Sequence, residues 1–102
     1  MGVYYLMVEA TPKRDNPESK EFGGAFVNCF VKADTPYDAQ RKVEEYLSEQ
    51  KWVFIRIEDI FAAQRERYDD EPDSLACYDD ALQYGFGAIF YTWPMDESSV
   101  CI

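Results

Sequence analysis

Gly24-Ala25-Phe26-Val27-Asn28-Cys29-Phe30-Val31-Lys32-Ala33 is one alternating stretch that runs straight into Asp34-Thr35-Pro36-Tyr37-Asp38, a helix start. Side chains alternate across a strand, so Ala25, Val27, Cys29, Val31 and Ala33 share one side and Phe26, Asn28, Phe30 and Lys32 the other. Both sides are largely apolar. Such a strand is expected at the centre of a sheet whose two faces are shielded from water. This double apolarity says much about architecture and little about chemistry.

Upstream, Val3 to Ala10 sets Tyr4, Leu6, Val8 and Ala10 against Val3, Tyr5, Met7 and Glu9, a first strand with one clean apolar face. Thr11 to Phe22 is polar and closed by Gly23-Gly24, so the first two strands are expected to form a hairpin across a loop. Downstream, Thr35 can cap a helix, Pro36 suits its first position and Asp38 places a carboxylate near the free N–H groups. That helix is expected over about Pro36 to Gln50, with Ala39, Val43, Tyr46 and Leu47 on its buried stripe.

Trp52 to Phe61 is rich in β-branched and aromatic residues and reads as a third strand. Simple alternation puts Val53, Ile55 and Ile57 toward the helices and Trp52, Phe54, Arg56 and Glu58 on the opposite face. Ala62 to Pro72 reads as an irregular connection. Asp73-Ser74 is expected to cap a second helix bearing Leu75, Tyr78, Ala81 and Leu82, which Gly85 stops. Phe86 to Trp93 forms the fourth strand, ended by Pro94.

The expected fold is therefore α+β, a two-layer sandwich, ferredoxin-like or a variant of it. Its order is β-β-α-β-α-β, with a four-stranded mainly antiparallel sheet and two helices on one face. Residues 1–94 form a single domain and 95–102 a C-terminal tail, as the length of 102 residues allows. The strand-loop-strand opening followed by the Thr35-Pro36-Tyr37-Asp38-Ala39 helix has the general look of small bacterial antitoxin and immunity domains, and no motif narrows it to one family.

Composition narrows the chemistry. The chain has no histidine, which removes the commonest general base and metal ligand and every Ser-His or Cys-His pair. Phosphate loops, nucleophile elbows and dinucleotide fingerprints are absent from the sequence. Cys29, Cys77 and Cys101 stand at no metal-like spacing and read as reduced thiols. A calcium frame beginning at Asp69 fails because Ser74 stands where a glycine must make the turn and Pro72 stiffens the loop. No catalytic residue, metal or cofactor is expected.

Twenty acidic and ten basic side chains give a formal charge of −10, a field that repels nucleic acid and anionic lipid. The opening Met1 to Leu6 has no basic leader and no apolar run approaches a membrane span, which predicts a cytoplasmic protein away from membranes.

Two surfaces are left to carry function. Tyr5, Met7, Phe26, Phe30, Trp52, Phe54, Arg56, Glu58 and Tyr91 are expected on the sheet face away from the helices, with Phe90 an alternative to Tyr91 and Trp93. Four such aromatics would expose ~600–1,000 Å², more than the ~300–600 Å² usual for the largest patch on a monomer. A second copy of the chain, giving a homodimer, is the expected cover. A small ligand in a cavity between or beneath the sheets is the alternative.

The second surface is acidic. Glu66, Asp69, Asp70, Glu71 and Asp73 precede the second helix and are expected to meet a basic protein partner. The role expected from both surfaces is that of a non-catalytic interaction domain: an inhibitor, antitoxin-like, immunity-like or adaptor protein. A weak enzyme built on Arg56, Glu58 and a tyrosine is the catalytic alternative.

Overall fold

The structure, a computed structural model, describes residues 2–94; Met1 and the expected tail over 95–102, with Cys101, lie outside the described residues. The eight elements it contains follow the expected order of strands and helices. Strand β1 (Gly2–Pro12) pairs antiparallel with β2 (Phe22–Ala33), Gly2 opposite Ala33 and Ala10 opposite Ala25. The polar connection between them is folded. The buried Asn16 side chain accepts from the Glu18 N–H at 2.9 Å and donates to the Lys51 carbonyl at 3.0 Å, which opens a 3-10 turn over Pro17–Lys20.

Helix α1 (Pro36–Glu49) starts as its sequence dictates: the Thr35 hydroxyl accepts from the Asp38 N–H at 3.0 Å, and Pro36 occupies the first turn. Its stripe of Ala39, Val43 and Leu47 is fully buried. A left-handed Lys51 (φ 64°) turns the chain into β3 (Trp52–Ala62). A 3-10 turn over Arg65–Tyr68 lies within the stretch expected to be irregular. Helix α2 (Pro72–Tyr84) follows and ends at Gly85 (φ 94°), the left-handed stop that glycine allows. Strand β4 (Phe86–Pro94) completes the chain.

The sheet order is β3-β1-β2-β4 and every pairing is antiparallel. β2 and β3 consequently run parallel on either side of β1, joined by α1 in a split crossover. β3 and β4 occupy opposite edges, so the connection through α2 must cross the whole sheet.

That crossing uses the face that α1 leaves free, which corrects the expectation of two helices on one face. α1 packs on Leu6, Val8, Ala10, Ala25, Val27, Cys29 and Val31. α2 packs on Val3 and Phe30 through Cys77 and Ala81, with Tyr68 beside it. Gly87 makes this approach possible: a Cβ there would meet the Cys77 carbonyl and stand 2.9 Å from its Cα, so only a glycine lets the helix backbone lie directly on β4. The four-stranded α+β architecture stands as a variant of the ferredoxin-like arrangement, with its helices on opposite sides.

β3 supplies a second correction. Its pairing with β1 shifts register between Met7 and Val8 and again between Glu9 and Ala10. Each bulge inserts an unpaired residue and flips the faces beyond it. Trp52, Phe54, Ile57 and Ile60 therefore all join the α1 core, which no single alternation could produce. Val53 and Ile55, expected against the helices, are exposed.

Candidate functional site

α2 covers only one end of its sheet face. The other end is open, and Asn28, near the middle of β2, lies at the boundary. On its α2 side a hollow of about 340 Å³ is lined by Tyr5, Asn28, Asp59, Phe61, Arg67, Tyr68, Glu71 and Ser74. On its far side a second hollow of about 360 Å³ is lined by Met7, Phe26, Asn28, Glu58 and Tyr91. The first is walled by polar groups and the second mainly by apolar ones.

Strand alternation explains this grouping. β1 contributes Tyr5 and Met7, β2 contributes Phe26 and Asn28, and β4 contributes Tyr91, all pointing away from α1. Asp59 enters the same face because it lies opposite Met7, between the two bulges and the strand end. Trp93 lies over Gly23 and Gly24, and its ring centroid is 5.1 Å from that of Phe26, which closes the far end.

The Asn28 Oδ1 is buried and, among the described residues, is the side-chain polar atom left without a hydrogen-bond partner. Such an acceptor costs about 1–3 kcal/mol until something donates to it. The hollow that Asn28 borders is lined also by Tyr5, Tyr68, Ser74, Asp59 and Glu71. Ser74 Oγ donates to Glu71 Oε1 at a long 3.5 Å. The Arg67 guanidinium sits 5.5 Å from the centroid of the Phe61 ring.

Burial pushes the Tyr5 phenol up to about 12, helped by Tyr68 and Asp59, so it is a neutral donor at any physiological pH. Burial likewise raises Tyr68. The Cys29 thiol, under α1, is pushed up to about 12 by burial, and Cys77 is raised by burial with Asp80 and Asp73 nearby. Neither thiol is a thiolate nucleophile at neutral pH. The arrangement can donate, accept and exclude water.

The expected aromatic face is only partly assembled. Met7, Phe26 and Tyr91 share the open hollow, with Phe26 and Tyr91 exposed. Tyr5 is half-buried at the α2 side, stacked against Phe61 at 4.9 Å and edge-on to Phe30 at 5.3 Å. Phe30 is fully buried beneath α2, in edge contact with Tyr68 and Tyr78, and can meet no second molecule. Trp52 and Phe54 point to α1, where Trp52 meets Phe90 at 5.3 Å, because the bulges reset their phase. The alternative left open in β4 resolves to Tyr91 and Trp93 on the open face.

Arg56 and Glu58 flank the open face in an ion-pair group: the Arg56 Nε lies 2.6 Å from Glu58 and a terminal nitrogen 3.1 Å from Glu9 on β1. These pairs hold both residues in a structural contact, and Glu58 also lines the open hollow with Tyr91. Of the acidic set, Glu66, Asp69, Asp70 and Asp73 are exposed along the 3-10 turn and the start of α2, and Glu71 alone of the set lines the polar hollow. None of these five pairs with a cation among the described residues, whereas Asp79 is held by Arg65 at 3.0 and 3.2 Å.

Sequence reasoning missed Asn28 and Asp59. Asn28 was legible as the single uncharged polar residue in an otherwise apolar central strand. Asp59 was not, because its face depends on the bulges. Among the described residues no helix is long and apolar enough to cross a membrane, and no group of three or more histidine, cysteine or carboxylate side chains is placed to hold a metal. No family model, no curated protein and no solved structure matches the chain.

Proposed function

We propose that this protein is a non-catalytic interaction domain that holds a basic segment of a protein partner against the open half of its sheet. An apolar side chain of the partner fills the hollow of Met7, Phe26 and Tyr91. A neighbouring lysine or arginine reaches Asp59 and Glu71, and the Asn28 side chain turns toward it to bring its oxygen to the N–H. The orphaned Asn28 acceptor carries this reading, because it asks for a donor at the place where an apolar hollow meets an acidic rim. The unpaired Glu66, Asp69, Asp70 and Asp73 extend the negative field beyond the rim and favour encounter with a cation. The role is that of an inhibitor or adaptor.

A synthetic peptide alternating leucine and lysine tests this, followed by amide shifts of the labelled protein. Shifts at Met7, Phe26, Asn28, Asp59 and Glu71, together with a fall in affinity of about tenfold or more between low and high salt, are expected. Asn28→Ala should weaken binding. Equal binding of a glutamate-for-lysine control peptide, or shifts confined to α1, would overturn the reading.

A second reading rests on the apolar hollow alone, whose volume lies within the ~300–1,000 Å³ range of small-molecule sites. A small apolar ligand held there keeps its affinity at high salt. Salt dependence therefore separates the two.

A further inference from the structure

Among the described residues the sheet ends on two unpaired edges of opposite character. β3 is guarded: two bulges break its line, and Arg56, Glu58 and Asp59 put charge along it. β4 has no guard of this kind. Phe86-Gly87-Ala88-Ile89-Phe90-Tyr91-Thr92-Trp93-Pro94 contains no charged residue, and its register against β2 is unbroken from Phe86 to Trp93 except for the step beyond Gly24.

The direction of its free groups follows from one hydrogen bond. The Lys32 N–H donates to the Gly85 carbonyl at 3.0 Å, and in an antiparallel pair every second residue turns both backbone groups to its partner. Gly87, Ile89 and Tyr91 therefore bond to β2, while Phe86, Ala88, Phe90 and Thr92 present N–H and C=O outward.

We infer that the outer edge of β4 docks a second copy of this chain, antiparallel, about a two-fold axis through Ile89. In that register every outward N–H of Phe86, Ala88, Phe90 and Thr92 meets an outward carbonyl of the second copy. Phe86 then faces Thr92 of the second copy, Ala88 faces its Phe90, and Gly87 faces its Tyr91. Each aromatic side chain meets a smaller one, Ile89 meets its own copy on the axis, and a tyrosine covers the glycine that α2 requires. Two chains of charge −10 approach along the one edge that carries no charge. The inference does not rest on the proposed partner site, which uses the face of the sheet and shares only Tyr91 with this edge.

Light scattering and amide hydrogen exchange test it. At tens of micromolar the mass should be twice the 11.9 kDa of one chain, and exchange at Ala88 and Phe90 should slow as concentration rises. Thr92→Pro deletes an outward N–H without touching the bonds to β2, so it should give a monomer, while Thr92→Val should remain a dimer. A monomer at every concentration up to about 1 mM would overturn the inference, and so would a Thr92→Pro protein that still dimerises. The exchange measurement on the unaltered chain decides the matter even if Thr92→Pro does not fold: exchange at Ala88 and Phe90 that ignores concentration excludes the edge.

Discussion

The two faces of one sheet are built from the same strands and finished differently. Under α1, small and branched residues fill the centre, where Ala10, Ala25, Val27, Cys29, Val31, Ala39, Val43 and Leu47 are all fully buried, and Trp52, Tyr46, Phe86 and Phe90 pack around them. Under α2, aromatic rings do the filling around Phe30, and the cover stops at Asn28, where a buried oxygen has no partner. The closed face makes the fold stable, and the half-covered face leaves a surface on which function can act.

The largest effect expected from breaking this contrast is at its two anchors. Phe30→Ala removes the ring that Tyr5, Tyr68 and Tyr78 surround, and should cost about 3–5 kcal/mol in urea denaturation. Leu47→Ala on the closed face should cost about 2–5 kcal/mol. Hydrogen exchange distinguishes them: Phe30→Ala should speed exchange chiefly in α2, whereas Leu47→Ala should speed it across the sheet. Equal acceleration of α2 by both would mean that the two faces are not separable.

A smaller effect concerns alkaline pH, since each face holds a group that burial keeps neutral well above its ordinary pKa. Cys29, on the closed face, is raised from 9.0 to about 12, and Tyr5, on the other, from 10.0 to about 12. A folded state that holds its proton above the unfolded pKa binds more protons than the unfolded chain there, so stability falls as pH rises. Stability should be level between about pH 6 and pH 8 and decline from pH 9 toward 12. Cys29→Ala should flatten this slope from pH 9 upward, and Tyr5→Phe only from pH 10 upward. A slope unchanged by either substitution would show that neither group stays protonated in the fold.

The smallest effect is expected at the Arg56 ion pairs, where the arginine itself stands largely in water. Arg56→Ala should leave the urea midpoint unchanged within error at moderate salt. A clear destabilisation would show that the bulged edge of β3 depends on its charges.

Much of the fold was legible along the chain. The Thr35 cap, the Pro36 start and the Gly85 stop are local chemistry, and all three act as their residues require. The double apolarity of β2 was also legible, as a strand shielded on both sides. Its cover on the second face was expected to be another molecule, and over Phe30 it is α2. The candidate site was less legible. Met7, Phe26 and Tyr91 could be placed by alternation, but Trp52 and Phe54 could not, because alternation counts residues and a bulge adds one without leaving a breaker in the sequence.

Residue type and spacing alone thus decided the element order, both ends of α1, the stop of α2 and the need to cover both sides of β2, since each depends on neighbours within a few residues. The expected Asp73-Ser74 cap lies inside α2, which starts at Pro72. Only the tertiary structure decided which helix covers which side, how far α2 reaches and where Asn28 is left without a donor. Those outcomes depend on contacts between segments far apart in the chain: β3 and β4 at opposite edges force α2 across the sheet, α1 already fills one face, and Gly87 admits the helix backbone to the other.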